Sequence, residues 1–290
     1  MSKNSVKIKI LGSAQDAGIP QANCYCENCQ RAYENPKIRR LASSLAIVIN
    51  EEKWHLVDAT PDMREQLIIM KREFPHMGLM ESILLTHAHA GHYPGLLFLG
   101  KEGMSTKGLP VFAGKEMKNF LKKNAPWTQL VELRNIQVKP MINNQSFQID
   151  EQVEILPFEV PHRNEFSETF GFIIKGPTRK LLYIPDIDSW NQWKFDICEM
   201  AKNVDICIVD ATFYSVEEIS SMGREITQIP HPLLTETMDR LQEIVNDKKT
   251  IVYFTHFNHT NPVVNSNSRE IKIVKNRGFD IAVEGMEFIL

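Results

Sequence analysis

What this chain lacks narrows its function before any motif is read. It has no excess of positive charge: 33 Lys and Arg against 36 Asp and Glu leave a net charge of −3. Nonspecific nucleic-acid binding draws on a strongly basic face, so no nucleic-acid partner is expected. No apolar run approaches the ~20 residues of a membrane-spanning helix, so no membrane partner is expected either. Residues 1–9 alternate lysines with other residues and lack the apolar core of a signal peptide, which makes the expectation a cytoplasmic protein. Cysteine is scarce, five in 290 residues, and three of the five are clustered. An odd, clustered set fits a reducing compartment and a metal site better than a disulfide framework. Linkers and low-complexity tracts are missing too. With 43% hydrophobic and 24% charged residues the chain has a globular composition, and its length suits one α/β domain over residues 1–290.

What is present centres on Leu84-Leu85-Thr86-His87-Ala88-His89-Ala90-Gly91-His92. Three histidines follow the apolar run Ile83-Leu84-Leu85, which reads as a buried strand. On extended chain His87 and His89 point to the same side, and His92 lies where the next segment turns helical. A strand end that delivers three imidazoles into one cleft is how an open metal site is built; the plainer reading is a polar loop capping the following helix. One loop cannot fill two coordination spheres. Three further strand ends offer donors: Phe158-Glu159-Val160-Pro161 leads to His162, Tyr183-Ile184-Pro185 to Asp186, and Val252-Tyr253-Phe254-Thr255 to His256. Asp188 competes with Asp186 for the same place.

Around these, Val6 to Leu11 alternates like a half-buried strand, and Ser43–Asn50 with Lys53–Asp58 make a hairpin. Helices are predicted over Pro61–Phe74, Lys115–Asn124, Trp190–Ala201, Pro232–Asn246 and Ser268–Asn276, and a loop over Met222–Gln228. Between them lie strands at Val111–Gly114, Glu154–Val160, Phe170–Lys175, Lys180–Ile184, Val204–Val209, Thr250–Thr255 and Phe279–Val283. Val57-Asp58-Ala59-Thr60 and Val209-Asp210-Ala211-Thr212 repeat one tetrapeptide at two strand ends, which hints at two similar halves. Asp58 could accept the free imidazole N–H of a ligand and fix its tautomer, or, like Asp210, simply cap a turn. His231, just before a helix, could contact an anionic substrate or protonate its leaving group, or serve only as a helix-entry residue.

Residues 12–42 read as a thirty-residue irregular segment, a length that calls for something to tie it down. Cys24-Tyr25-Cys26-Glu27-Asn28-Cys29 places three thiols in six residues. Thiols this close do not pair without strain, whereas three thiolates and one further ligand make a closed tetrahedral zinc site. His259, three residues after His256, is the expected fourth ligand. Cys198 and Cys207 lie on apolar faces and read as inert core residues.

Thr86 to His92 resembles the H-x-H-x-D-H signature of the metallo-β-lactamase superfamily, with Gly91 where that family has Asp. The resemblance implies an αββα sandwich, two mixed sheets between helix layers. By it His87, His89 and His162 hold a first metal, His92 and His256 a second, and Asp186 bridges; His231, from its place before a helix and not from the resemblance, is the further catalytic candidate. One structural zinc and one or two active-site divalent ions (zinc, manganese or iron) are implied. Without a carboxylate at position 91 the second ion keeps only His92, Asp186 and His256, which leaves a weaker second site, a one-ion enzyme or an inactive remnant open. Leu11-Gly12-Ser13-Ala14, Gly18-Ile19-Pro20-Gln21, Asn23-Cys24 and Thr60-Pro61-Asp62-Met63 look like the pyrroloquinoline quinone biosynthesis B-protein family. The intact histidine loop is closer to the cyclic phosphodiesterases of phosphonate breakdown. These resemblances imply a metal-dependent hydrolase of a small, anionic phosphodiester that uses a metal-bound hydroxide. The alternatives are a B-protein-like role in redox cofactor biosynthesis, by iron and oxygen chemistry or as a carrier, and a non-catalytic metal-dependent binding protein. Oligomeric state stays open, a homodimer included.

Overall fold

Ser-Leu-Ala-Ile-Val-Ile is apolar almost throughout because both faces of its strand are covered. In the computed structural model, which describes residues 5–223 and 230–290, this is β2 (Ser44–Ile49). Its Leu45, Ile47 and Ile49 enter a core between two sheets, while Ala46 and Val48 enter a second core beneath a helix layer. The alternation is the two-residue period of a pleated strand with apolar neighbours on both sides. In the opposite sheet β10 (Lys180–Ile184) and β11 (Ile206–Asp210) behave alike. Leu181, Tyr183, Ile206 and Ile208 face the central core; Leu182, Ile184, Cys207 and Val209 face a third core under the other helix layer.

Three cores separate four layers, the αββα sandwich expected from the sequence. The first sheet runs β14 (Glu287–Ile289), β1 (Val6–Gly12), β2, β3 (Lys53–Val57), β4 (Ser82–Leu84), β5 (Leu109–Ala113), β6 (Ile136–Pro140). The second runs β13 (Asp280–Ile281), β12 (Ile251–Thr255), β11, β10, β9 (Phe170–Lys175), β8 (Val153–Glu159), β7 (Phe147–Asp150). Helices α2 (Met63–Glu73), α3 (Lys115–Lys123) and α4 (Trp127–Glu132) cover the first sheet. Helices α5 (Ile197–Lys202), α7 (Leu234–Asn246) and α8 (Arg269–Asn276) cover the second.

Each sheet passes from antiparallel to parallel pairing, at β3 in one and β10 in the other. The halves are therefore alike, yet the repeated tetrapeptide does not mark the equivalence: one copy follows β3 and the other ends β11, the strand after the counterpart of β3. Their threonines differ accordingly. Thr60 donates to Gln66 at the start of α2, whereas Thr212 reaches His256.

Two sequence expectations change. The segment 12–42 is not irregular throughout: α1 (Glu27–Glu34) begins inside the cysteine cluster, with Glu27 in its first turn, Arg31 in its last and Asn28, Cys29 and Ala32 on its buried face. The helix expected over Trp190–Ala201 is confined to α5. Asp196 caps it by accepting from the Cys198 N–H. The helical spacing of Trp190 and Trp193 reflects separate anchors instead, since their indole N–H groups donate to Thr237 Oγ1 and to the Glu159 carbonyl. The loop expected over Met222–Gln228 follows α6 (Val216–Ser221); Met222 and Gly223 turn there, and the remainder lies outside the described residues.

Candidate metal centre

Strands β3, β4, β8, β10, β11 and β12 bring their carboxyl ends to one edge of the sandwich, the edge where open α/β sheets bind ligands. Backbone bonds stitch these ends together: Asp58 N–H donates to the Leu84 carbonyl at 2.8 Å, Ala211 N–H to Thr255 at 2.9 Å, and Asp188 N–H to Pro161 at 2.8 Å. The residues singled out in sequence consequently meet. Asp186 Oδ2 lies 3.1 Å from His162 Nε2, 3.4 Å from His87 Nε2, 3.8 Å from His256 Nε2 and 3.9 Å from His92 Nε2. His89 Nδ1 stands 3.0 Å from His87 Nε2 and 2.8 Å from His162 Nε2. Of the two competing aspartates, Asp186 faces the histidines and Asp188 stands behind His162, 2.6 Å from its Nδ1.

Each imidazole is backed by a carboxylate. His92 Nδ1 donates to Asp58 at 2.8 Å, His231 Nδ1 to Asp210 at 2.9 Å, His162 Nδ1 to Asp188, and His89 Nε2 to Glu165 at 2.9 Å. His87 and His256 use a hydroxyl in between. Thr86 Oγ1 lies 3.0 Å from His87 Nδ1 and donates to Asp58; Thr212 Oγ1 lies 2.9 Å from His256 Nδ1 and donates to Asp210. A proton held on the outward nitrogen leaves the inward lone pair bare, which is what a cation requires of imidazole. Asp58 thus orients His92 directly and His87 through Thr86, so it does more than cap a turn. The same holds for Asp210 with His231 and His256.

The donors fit a divalent ion. His87, His89, His162 and Asp186 each offer one atom within 4.8 Å of the others. An ion ~2.0–2.1 Å from nitrogen ligands would hold them roughly 3.3 Å apart, close to the spacings seen. On the other side of Asp186, Asp210, His231 and His256 form one group, and Asp16, His92 and His256 another. Asp16 Oδ1, His92 Nε2, His256 Nε2, His231 Nε2 and Asp186 Oδ1 are buried without a hydrogen-bond partner. Orphaned polar atoms of this kind are costly unless something polar or charged joins them.

Charge sets the protonation states. Burial pushes His87 and His256 below the usual histidine range. Burial would also lower His162, but Asp186 and Asp188 outweigh it and hold that imidazole up at about 10, so an ion taken up there must displace the proton on its inward nitrogen. Burial would raise Asp186, and the neighbouring His162 and His256 instead keep its carboxyl well below the carboxylate range. Burial acts to lower His231, yet Asp210 raises it.

At the second candidate centre Cys24 Sγ and Cys26 Sγ each lie 3.4 Å from His259 Nδ1, and the four donors with Cys29 fall within 4.8 Å of one another. All five cysteines are free thiols. Asn28 Nδ2 clamps the two loops by donating to the His259 and Asn261 carbonyls, both at 3.0 Å. Burial, with the neighbouring thiols, pushes Cys29 up to about 12, so a cation is what would let it ionise as a ligand. Cys207 is buried in the core and Cys198 donates to the Arg240 carbonyl.

Sequence reasoning passes over Asp16, Glu165, Thr86 and Thr212. Thr86 sits inside the histidine motif and Thr212 inside the repeated tetrapeptide, so both carry a local signal. Asp16 and Glu165 do not; chain folding alone brings them in.

A sequence model described as Beta-lactamase superfamily domain matches residues 53–257. Coenzyme PQQ synthesis protein B of Methylococcus capsulatus is 28% identical over 311 residues, with 98% of this chain and 99% of that protein aligned. Among solved structures, Zn(2+)-bound PqqB from Methylobacterium extorquens superimposes with a TM-score of 0.84 at 24% identity, covering 98% of this chain and 100% of the other. A diphosphatase of the PhnP family superimposes with a TM-score of 0.67 at 21% identity, covering 99% and 97%. At these identities the structural likeness speaks for the fold.

Proposed function

The chain belongs to the beta-lactamase superfamily, and from that premise we propose that it is a metal-dependent hydrolase of a small phosphodiester. The observation that carries this reading is the complete inward-facing set of His87, His89, His92, His162 and His256 around Asp186, every ring with its proton drawn outward. A set kept only for packing would not need bare nitrogens and orphaned oxygens in the interior. The likeness to a PhnP-family diphosphatase supports the same reading.

Bound divalent ions lower the pKa of water towards ~7 and draw charge from phosphoryl oxygens. The chain's own residues do the rest. Asp186 and the five imidazoles fix where a substrate oxygen and a water can meet. Asp58, Asp188, Asp210 and Glu165 hold those rings in one tautomer. His231 lies just outside the five: Asp210 holds its Nδ1 proton and favours the imidazolium, so its buried Nε2–H is available to a leaving oxygen. Asp16, 3.6 Å from His92, and Phe213, edge-on to His231, line a cavity of about 560 Å³ whose wall also includes Gln21, Asn258 and His259 and which would admit a small molecule.

The test is release of nitrophenolate from bis(4-nitrophenyl) phosphate by protein loaded with zinc or manganese. Activity is expected, and His89→Ala should abolish it. Loaded protein inert towards phosphodiesters, esters and lactams alike would overturn the reading. The full-length likeness to coenzyme PQQ synthesis protein B favours a second one, a step in redox cofactor synthesis at an iron-loaded centre. Stoichiometric iron in anaerobically purified protein, with oxygen uptake and no hydrolysis, would select it.

A further inference from the structure

Gly91 is the position at which the histidine motif has no carboxylate, and the space beside it is filled. A Cβ built on Gly91 would lie 2.0 Å from Asp16 Oδ1 and 2.6 Å from Asp16 Cα. No side chain can therefore share the site with Asp16 as placed: the glycine and the aspartate are two halves of one arrangement. Asp16 Oδ1 is 3.6 Å from His92 Nε2, and donors of Asp16, His92 and His256 lie within 4.8 Å of one another. All three facing atoms (Asp16 Oδ1, His92 Nε2 and His256 Nε2) are buried with no hydrogen-bond partner.

The loop carrying Asp16 is held by backbone bonds. Gln15 N–H donates to the Phe257 carbonyl at 2.8 Å and Phe257 N–H to the Ser13 carbonyl at 2.9 Å. These bonds lock the residue before Asp16 to the residue after His256, so the two donors belong to one stitched unit. Gly18 N–H closes the turn on the Gln15 carbonyl at 2.8 Å, with Gly18 in the left-handed region. The Asp16 side chain is 40% exposed, so its other oxygen opens on the cavity while Oδ1 faces inward.

We propose that Asp16 is a ligand of the second active-site ion, supplying from the loop after β1 the carboxylate that position 91 lacks. The inference rests on the reading that the histidine cluster binds divalent ions. With it, the second centre becomes His92, His256, Asp16 and Asp186, two nitrogens and two carboxylate oxygens. That donor set suits zinc, manganese or iron. A second ion need not be weak or absent because of Gly91.

Ion counting tests this without recourse to turnover. Protein reloaded with manganese, zinc being retained at the thiolates, is analysed by elemental analysis and by the spin coupling of paired manganese ions. The wild type should hold two manganese ions with a coupled signal, and both Asp16→Asn and Asp16→Ala should hold one with an uncoupled signal. Outer-sphere changes cost roughly 10–100-fold in metal affinity, and loss of a ligand should exceed that. Gly91→Asp alone should not bind the second ion normally, because its Cβ would meet both the carboxylate and the Cα of Asp16. Asp16 variants that keep both ions with unchanged affinity would overturn the assignment and leave the metal reading standing. A wild type with one ion would overturn it too. A wild type with none at the histidines would sink the metal reading itself.

Discussion

Replacing Asp58 by Asn probes how one carboxylate controls two ligand rings. Asp58 is fully buried. Its Oδ1 accepts the Thr86 backbone N–H at 2.8 Å, its Oδ2 accepts His92 Nδ1–H at 2.8 Å, and Thr86 Oγ1 donates to the pair. The Thr86 N–H is a backbone donor and cannot turn away, so an asparagine must aim its oxygen there. Its amide N–H₂ then faces His92. To avoid donor against donor, His92 must carry its proton on Nε2, where a lone pair is required. The hydroxyl of Thr86 still finds the amide oxygen, so His87 keeps its tautomer. The expected result is loss of affinity at the His92 centre by the roughly 10–100-fold typical of an outer-sphere change, about 1.4–2.8 kcal/mol. The His87 centre should stay near wild type. Stepwise chelator titration of manganese-loaded protein measures both constants. Equal affinity at both centres before and after the change would refute the claim that Asp58 fixes the His92 tautomer.

Three further outcomes follow from the geometry. His231→Asn should lower kcat by ~10²–10⁴, the range of general-acid catalysis, at unchanged metal content, and should erase the fall in rate at high pH that marks loss of the His231 proton; an unchanged pH profile would remove it from the mechanism. Cys29→Ser should release one zinc per chain and lower the melting temperature by on the order of 10 °C, taking ~3 kcal/mol or more at 2–4 °C each; equal zinc content and melting would contradict a metal at the thiolates. Burial raises Glu218 from 4.5 to about 7. The folded chain then keeps a proton that the unfolded chain releases, so stability falls as pH rises through that window, by ~3 kcal/mol once complete. Glu218→Gln should flatten this slope in urea titrations at pH 5 and 8, and parallel slopes would disprove it.

Much of the architecture was legible because β2, β10 and β11 are apolar on both faces, a pattern no surface element produces. The histidines and Asp186 were legible for a similar reason: His87, His162, Asp186 and His256 each lie within three residues of a strand end, and His89 and His92 follow on the same loop as His87. The helix expected over Trp190–Ala201 began too early, since Trp190 and Trp193 are each placed by a different hydrogen bond. Helix α1 was hidden because its buried face includes Asn28 and Cys29, polar residues that a hydrophobic period does not register. Asp16 lay beyond reach in principle. Nothing in Gln15-Asp16-Ala17-Gly18 marks a donor; only the pairing of that loop with Phe257, some 240 residues further on, turns a plain turn into part of the centre.

Asp58 and His256 both sit in left-handed backbone, with φ of 63° and 65°, conformations that suit glycine far better than either residue. Each also carries polar atoms into a dry interior. Glycine at His256 would relieve the backbone and remove the buried ring, whereas glycine at Asp58 would orphan the Thr86 N–H and hydroxyl and the His92 Nδ1–H that its carboxylate accepts. A laboratory evolution experiment that rewarded thermal robustness alone would therefore press on His256 and spare Asp58, so selection for robustness here needs a simultaneous demand for metal uptake.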